Sequence, residues 1–563
     1  MKVGIFICHC GHNIKGSVDV EKLRDYFKSL PHVGVSIDYT FLCSEVGQDL
    51  MKEAILKNGI DRVIVAACAP SFHSELFKDV LRSSGLNPYM LKRISIREHC
   101  SWVGEDIKGN TDKAKRLIIA GLYSVWHSVP REEMRSETLK SCLIIGGGVS
   151  GLSAASFLTK MGIKVYLVEK EKELGGNLKI IRQVWPTKKS GKEIIGEILL
   201  EIEKDNFEIF TETEIEGIEG YLGNYTVTLI KHGQKRSVSV GGIIVACGFV
   251  PFDPKDKLGI PYGHDERILT TVDLEKEEGK IEADGSLKIA ILHCVGSRDE
   301  RVGRVYCSRI CCMNALKAAY ELKEKYPDAR IECFYMDVRA HPKGGEEFYE
   351  EVQRKGVIFT RSNVSEIIST KSGVLIRGED TLSGEIFERL FDLVILSVGI
   401  GPREDAKRIS QLLKIPLDKD GFFLEAHAKL RPFETPLKGI YISGCSSGPK
   451  DVEESINHGR AAALKVFSLI NQGFVSIEPY IAKVNEKRCS GCRMCEEVCV
   501  AKAIVYESTK RVRVEEAQCM GCGLCASQCP SSAITLEGYS DRELADEISG
   551  LVEKGWEELW KVA

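Results

Sequence analysis

The chain has 563 residues, 43% of them hydrophobic, and a net charge of −4, enough length for three or four domains, each with its own core. That charge balance argues against nucleic acid or an anionic membrane surface as the main partner, and no stretch approaches the roughly 20 apolar residues of a membrane span. Met1-Lys2-Val3-Gly4-Ile5-Phe6-Ile7 is too short an apolar run for a signal peptide, so a soluble, cytoplasmic protein is expected.

The twenty-one cysteines then read as metal ligands, because cytosolic thiols stay reduced and form no disulfide framework. Residues 1–135 alternate β-branched runs with amphipathic stretches, the pattern of a doubly wound α/β domain. Strands are expected at Val3–Cys8, Val33–Cys43, Arg62–Cys68 and Lys92–Ile96. Cys8 and Cys10, then Cys43, Cys68 and Cys100, fall where these strands end, and the carboxyl ends of parallel strands share the ligand-binding edge of such a sheet. Single cysteines in these folds are usually small buried hydrophobes, but a set at one edge points to an iron–sulfur cluster. Cys10, Cys43, Cys68 and Cys100 are the first choice of ligands, with Cys8 as the alternative and zinc as the rival metal.

After a charged linker around Arg131–Lys140 comes Cys142-Leu143-Ile144-Ile145-Gly146-Gly147-Gly148-Val149-Ser150-Gly151, a strand, a G-x-G-x-x-G turn and a helix start. The glycines allow a tight turn and close approach of backbone to pyrophosphate, which the helix N-terminus faces. Lys164–Glu169 is a second strand ending in the acidic residue that binds a ribose hydroxyl. Glu173-Leu174-Gly175-Gly176-Asn177, Ile243–Gly248, Leu393–Gly399 and Gly439–Gly444 resemble, in order, further landmarks of FAD-containing disulfide-reductase-like flavoproteins. Candidate FAD contacts are Gly146, Gly148, Val149, Ser150, Gly151, Glu169, Lys170, Gly176, Asn177, Ala246, Gly248 and Gly444. Cys445 stands where that family has aspartate, which puts its usual contact to the flavin's sugar chain in doubt.

The FAD-binding domain is expected over 139–255 and 403–476, interrupted at 256–402 by a degenerate NAD-type domain. There the strand Leu287–His293 runs into Cys294-Val295-Gly296-Ser297-Arg298-Asp299 instead of a glycine-rich phosphate loop, which weakens the case for nicotinamide binding. Cys294, Cys307, Cys311 and Cys312 form C-x12-C-x3-C-C. An iron–sulfur site is favoured over a redox-active dithiol at Cys311-Cys312, since the pair is adjacent and two more cysteines lie close by.

Residues 477–537 carry Cys489, Cys492, Cys495 and Cys499 as C-x2-C-x2-C-x3-C, repeated at Cys519, Cys522, Cys525 and Cys529. In this pattern the fourth cysteine of each run ligates the other cube of a two-cluster ferredoxin; zinc needs no such interleaving. The remaining 538–563 includes Asp541–Trp560, an expected amphipathic helix with Leu544, Ile548, Leu551, Val552, Leu559 and Trp560 on one face.

The fold class is thus α/β: a doubly wound N-terminal iron–sulfur domain, a thioredoxin-reductase-like flavoprotein of two nucleotide domains, and a C-terminal α+β two-cluster ferredoxin. That order, with C-x12-C-x3-C-C, Gly448-Pro449-Lys450-Asp451 and Arg97-Glu98-His99-Cys100-Ser101-Trp102, resembles the A subunit of heterodisulfide reductase from methanogens and related anaerobes, in a short form lacking an inserted ferredoxin domain. The resemblance implies an oxidoreductase component that splits electron pairs at FAD and relays single electrons through [4Fe-4S] clusters, the disulfide being reduced on another subunit. It also implies a homodimer within a larger complex, with a hydrogenase or dehydrogenase module as donor and ferredoxin as a partner. Lys317 matches the family's lysine beside the reactive flavin nitrogen, where a cation would stabilise the reduced anionic flavin. The alternative is a self-contained FAD-dependent disulfide reductase using Cys311 and Cys312.

Overall fold

The computed structural model describes residues 1–256, 259–276 and 287–552. The chain forms two compact units: Met1–Arg135 together with the chain from Ser476 onward, and Ser136–Val475.

In the first unit, strands β1 (Val3–Cys8), β2 (Val33–Tyr39), β3 (Arg62–Ala67) and β4 (Leu91–Ser95) form one parallel sheet in the order β2-β1-β3-β4. The central β1 is buried throughout, as a continuous apolar run in a two-sided parallel sheet should be. β2 ends at Tyr39, short of the expected Cys43. Ser44 is the reason: its hydroxyl accepts from Gly47 N–H and caps helix Glu45–Asn58, so the chain has already turned.

The ferredoxin segment of this unit is built from two short antiparallel ladders, Ala482–Val484 with Ile534–Leu536 and Ile504–Tyr506 with Val512–Val514. Its buried core is small, chiefly Ala482, Ile504, Val512, Val514 and Ile534 with the side chains of Cys495 and Cys525. Several side-chain contacts join this segment to the rest of the unit, among them Arg131 with Glu537 at 3.8 Å. Lys78 pairs with Glu478 at 2.8 Å, and the Tyr89 and Tyr480 rings meet edge to face at 5.8 Å. Helix Asp541–Val552 packs against helix Ile107–Trp126, held by Lys92–Glu547 at 2.8 Å and His127–Asp546 at 3.0 Å. Leu559 and Trp560 of the expected tail helix lie outside the described residues.

In the second unit, β5 (Ser141–Ile145), β6 (Lys164–Val168), β7 (Phe207–Phe210), β8 (Gly242–Val245) and β14 (Ile440–Ile442) make a parallel sheet ordered β14-β8-β5-β6-β7. Helices α1 (Val149–Lys160) and α4 (Val452–Ile470) pack closely on each other, and at Gly459 a Cβ would lie 2.2 Å from the Ser150 carbonyl oxygen. The second sheet, β9 (Ile268–Thr270), β10 (Lys288–Val295), β11 (Arg330–Tyr335), β12 (Ile358–Arg361) and β13 (Leu393–Val398), is ordered β9-β13-β10-β11-β12, also parallel. Helix α2 (Thr271–Lys276) follows β9, and helix α3 (Cys311–Lys325) follows β10 after a loop. Among the described residues, no helix is long and apolar enough to cross a membrane.

Candidate functional site

A cavity of about 740 Å³ in the second unit runs from the turn after β5 to helix α3. The turn is built from its glycines. Gly146 adopts φ +109° and a Cβ there would strike the Ala246 carbonyl at 2.4 Å, whereas a Cβ on Gly148 would meet nothing within 4 Å. Helix α1 begins next to Gly148 without a side-chain cap, so its first N–H groups remain for a ligand's phosphates. Glu169, at the end of β6, accepts from Gly147 N–H at 2.8 Å and from Glu171 N–H at 2.9 Å, which fixes the strand end against the turn. These features fit a dinucleotide: an open cradle at Gly148 and free helix donors beside a long cavity.

Of the expected FAD contacts, Gly146, Gly148, Val149, Ser150, Glu169, Lys170, Gly176, Asn177, Ala246 and Gly248 line this cavity. Gly151 and Gly444 do not. A Cβ on Gly151 would fall 2.0 Å from the Gly146 carbonyl oxygen, and one on Gly444 2.8 Å from Ser150 Cβ, so both permit close packing around the turn. Cys445, the residue in place of aspartate, does line the cavity; its buried thiol donates to the Lys450 carbonyl at 3.3 Å.

Lys317 reaches the same cavity from α3. Its ammonium pairs with Glu275 of α2 and lies 3.7 Å from Glu321. Arg182 completes the group, donating its backbone N–H to Glu275 at 2.8 Å and its guanidinium to Glu321 at 3.2 Å. Burial pushes the Glu321 carboxyl above its usual range, although Lys317 draws it back. Glu275 and Arg182 escaped the sequence reading because residues so far apart in the chain carry no local signal of meeting; Glu321 was missed although its i,i+4 spacing from Lys317 was there to be read.

Beyond β10 no phosphate loop forms. Gly296, at φ +72°, lies under Phe252, whose ring would sit 2.1 Å from a Cβ there, and Ser297 N–H turns back onto the Cys294 carbonyl at 3.1 Å. Cys294, Cys307, Cys311 and Cys312 act on one another electrostatically. Burial, with the neighbouring thiols adding to it, pushes Cys294 up to about 11 and Cys311 well above its ordinary value. Cys312 is raised by burial as well. A redox-active dithiol needs an accessible thiol of low pKa; four grouped thiols without a disulfide are a donor set for a thiolate-bound metal cluster.

At the sheet edge of the first unit the grouping differs from the expected one. Burial raises Cys8, with Cys10 and Cys43 as its charged neighbours, and Cys43 in turn has Cys68 and Cys10. Cys100 is raised to about 11 by burial, and the one charged group acting on it is Lys113, not a cysteine. Electrostatically, then, Cys8, Cys10, Cys43 and Cys68 are linked to one another, while Cys100 is linked to Lys113. The reason is local: Cys100 lies inside the π-helical turn Arg97–Ser101, fully buried in the core. Arg97 donates to Cys10 Sγ at 3.3 Å and Arg93 to Cys68 Sγ at 3.6 Å.

In the ferredoxin segment, Cys495 has Cys492 and Cys529 as electrostatic neighbours, while Cys525 has Cys519, Cys522 and Cys499. Each of these thiols thus has an electrostatic neighbour in the other run. Burial works to raise Cys529, yet its thiol is lowered, because the Ser531 hydroxyl and the backbone N–H groups of Ala533, Ser531 and Ile534 converge on its sulfur.

A flavin-type two-nucleotide fold joined to clustered thiols defines an iron–sulfur flavoprotein oxidoreductase. The comparisons agree: residues 106–285 match the pyridine nucleotide-disulphide oxidoreductase family and residues 482–536 the 4Fe-4S dicluster domain. One of the iron-sulfur A subunits of CoB--CoM heterodisulfide reductase from Methanopyrus kandleri is 37% identical over 662 aligned positions, covering 99% of this chain and 98% of that protein. The A subunit of the H(2):CoB-CoM heterodisulfide,ferredoxin reductase of Methanothermobacter marburgensis is 34% identical, covering 90% and 91%. The chain belongs to the family of heterodisulfide reductase A subunits. At least 99 positions of the first alignment have no counterpart here, in keeping with a short form. Among solved structures, the thioredoxin reductase of T. acidophilum overlaps 58% of this chain and 98% of its own at 17% identity and a TM-score of 0.41.

Proposed function

We propose that the chain splits electron pairs at FAD and passes single electrons through [4Fe-4S] clusters to partner subunits and ferredoxin. The observation that carries this reading is that one helix, α3, bears Cys311 and Cys312 at its start and Lys317 on the cavity wall. Lys317 is five positions beyond Cys312, about 7.5 Å along a helix, so a cluster held by the thiols sits close to the far end of the cavity. A flavin bound in the cavity supplies the exchange between two-electron and one-electron chemistry. The Gly146–Gly148 turn and the first turn of α1 hold its pyrophosphate, Glu169 stands at the ribose, and Lys317 places a positive charge toward its ring.

The ligand sets in this reading are Cys294, Cys307, Cys311 and Cys312; Cys8, Cys10, Cys43 and Cys68; Cys489, Cys492, Cys495 and Cys529; and Cys519, Cys522, Cys525 and Cys499. The domains run 1–135, 139–255 with 403–476, 256–402 and 477–537. Among the described residues no disulfide-binding group stands out around the cavity, so the heterodisulfide is assigned to a different component of a cytoplasmic complex, with this chain as a homodimer. A hydrogenase or dehydrogenase module is the donor. Ferredoxin as acceptor is supported by the name of the Methanothermobacter marburgensis relative.

Anaerobic purification with iron, sulfide and flavin counting tests the cofactors: four cubes require about sixteen irons per FAD. Pair-splitting is tested by supplying a two-electron donor with its module, ferredoxin and a high-potential one-electron acceptor. Equal reduction of both acceptors is expected, and reduction of the high-potential acceptor alone would reduce the function to a relay.

A further inference from the structure

The thiol group at the edge of the first sheet faces a cation that, among the described residues, no carboxylate pairs with. Arg93, on β4, extends its guanidinium over the Phe77 ring at 4.6 Å and donates to the Phe72 carbonyl at 2.9 Å, the Cys68 carbonyl at 3.0 Å and Cys68 Sγ at 3.6 Å. Its Nε is buried without a hydrogen-bond partner. The nearby carboxylate, Glu98, is engaged by both arms of Arg97, at 2.8 and 3.0 Å, and by the Ser95 hydroxyl at 3.0 Å.

A guanidinium stays charged in proteins, and turning one inward without a counter-ion is strongly destabilising. Four neutral thiols cannot supply that counter-ion. Four thiolates around a metal centre can, since they carry net negative charge. Arg97 also donates to Cys10 Sγ at 3.3 Å, but Glu98 already balances its charge.

We infer that Arg93 is the counter-charge of the cluster held by Cys8, Cys10, Cys43 and Cys68, and that it raises that cluster's reduction potential. The inference rests on the proposed N-terminal cluster. Arg93 acts through the sulfur of Cys68 and is therefore a positioning and potential-setting residue. A positive charge beside the sulfur favours the more negative, reduced state, and its removal favours the oxidised one.

The test uses the full-length, anaerobically prepared protein, with redox titration followed by electron paramagnetic resonance. The signal of this cluster is identified as the one lost in Cys43→Ala. In Arg93→Gln the iron content holds and the midpoint falls by about a tenfold change in the one-electron equilibrium, ~59 mV. Arg93→Lys, which keeps the charge, stays near the native midpoint, and Arg97→Gln shifts it less than Arg93→Gln does. Loss of the cluster in Arg93→Gln with retention in Arg93→Lys also supports a charge-compensating role. An unchanged midpoint in an intact Arg93→Gln cluster overturns the inference, as does equal loss of the cluster from both Arg93 variants, which marks a packing role. If Cys43→Ala loses neither iron nor signal, the N-terminal cluster itself is refuted and the inference with it.

Discussion

Glu275 holds the Lys317 ammonium on the cavity wall, tying the six-residue helix α2 to helix α3, which begins with Cys311 and Cys312. The two charges should act on a flavin in opposite directions. Lys317→Met removes the cation and lowers the flavin potential, while Glu275→Gln leaves the ammonium with the more distant Glu321 carboxylate and raises it. Both variants retain flavin, because the pyrophosphate cradle lies elsewhere. Transfer to a low-potential acceptor falls by at least about tenfold in Lys317→Met, equivalent to about 1.4 kcal/mol of barrier. Spectroelectrochemical titration checks the signs, and shifts in the same direction would refute the assignment.

Two neighbouring glycines separate binding from packing. Gly148→Ala places a methyl group in the open cradle, with no protein atom within 4 Å and an ordinary φ of −74°. Flavin content should drop more than about tenfold while stability stays within about 0.5 kcal/mol of native apoprotein. Gly151→Ala instead drives its methyl group to 2.0 Å from the Gly146 carbonyl oxygen, an overpacking cost of about 1–3 kcal/mol. Flavin fluorescence after acid release and a thermal melt of the apoprotein distinguish the two.

The interleaving of the ferredoxin thiols predicts which variants resemble each other. Cys529→Ser should reproduce the spectrum of Cys492→Ser, and Cys499→Ser that of Cys522→Ser, despite their positions in the chain. Each variant disturbs one cube and spares the other. Cluster-selective changes in paramagnetic resonance, together with iron content, are the readout; a Cys499→Ser spectrum matching that of Cys492→Ser would contradict the pairing.

His458 makes the second unit sensitive to acid. Burial, aided by the Lys450 charge, lowers its imidazole to about 3, and its Nδ1 is buried with no partner. In the unfolded chain the ring titrates near 6.5. Above that pH neither state takes the proton; as pH falls below it only the unfolded state does, so stability is lost. At pH 5 the loss is about 2 kcal/mol from this residue. His458→Leu should lose that much less between pH 7 and pH 5, as measured by chemical denaturation of the apoprotein at each pH. Equal losses in both proteins would refute the contribution.

Much of the architecture is legible from local pattern. The G-x-G-x-x-G turn, the second strand ending in Glu169 and the paired ferredoxin runs carry their chemistry within short windows, so spacing alone locates them. The N-terminal site is harder. That cysteines gather at one sheet edge follows from parallel-strand geometry, but which of them meet depends on the turns beyond the strands. Cys100 is equivalent to Cys43 and Cys68 by sequence position, yet the π-helical turn at Arg97–Ser101 carries it into the core. Gly151 and Gly444 belong to the same dinucleotide signature as Gly148, and the signature does not say which glycine faces ligand and which faces backbone. The Arg182, Glu275, Lys317 and Glu321 group is assembled from three separate chain segments, and only its Lys317–Glu321 pair, at i,i+4 spacing, is announced by helical periodicity.

The first unit begins at Met1 and is completed only after Ser476, with the whole of Ser136–Val475 emerging in between. At about 5–20 residues per second of synthesis, the sheet edge carrying Cys8 to Cys68 waits on the order of half a minute for the segment bearing Glu478, Tyr480 and Glu547. Its thiols are present throughout that interval without the surface that later covers Lys78, Tyr89 and helix Ile107–Trp126. The order of translation thus favours metal loading of the proposed N-terminal site before the ferredoxin segment has been made.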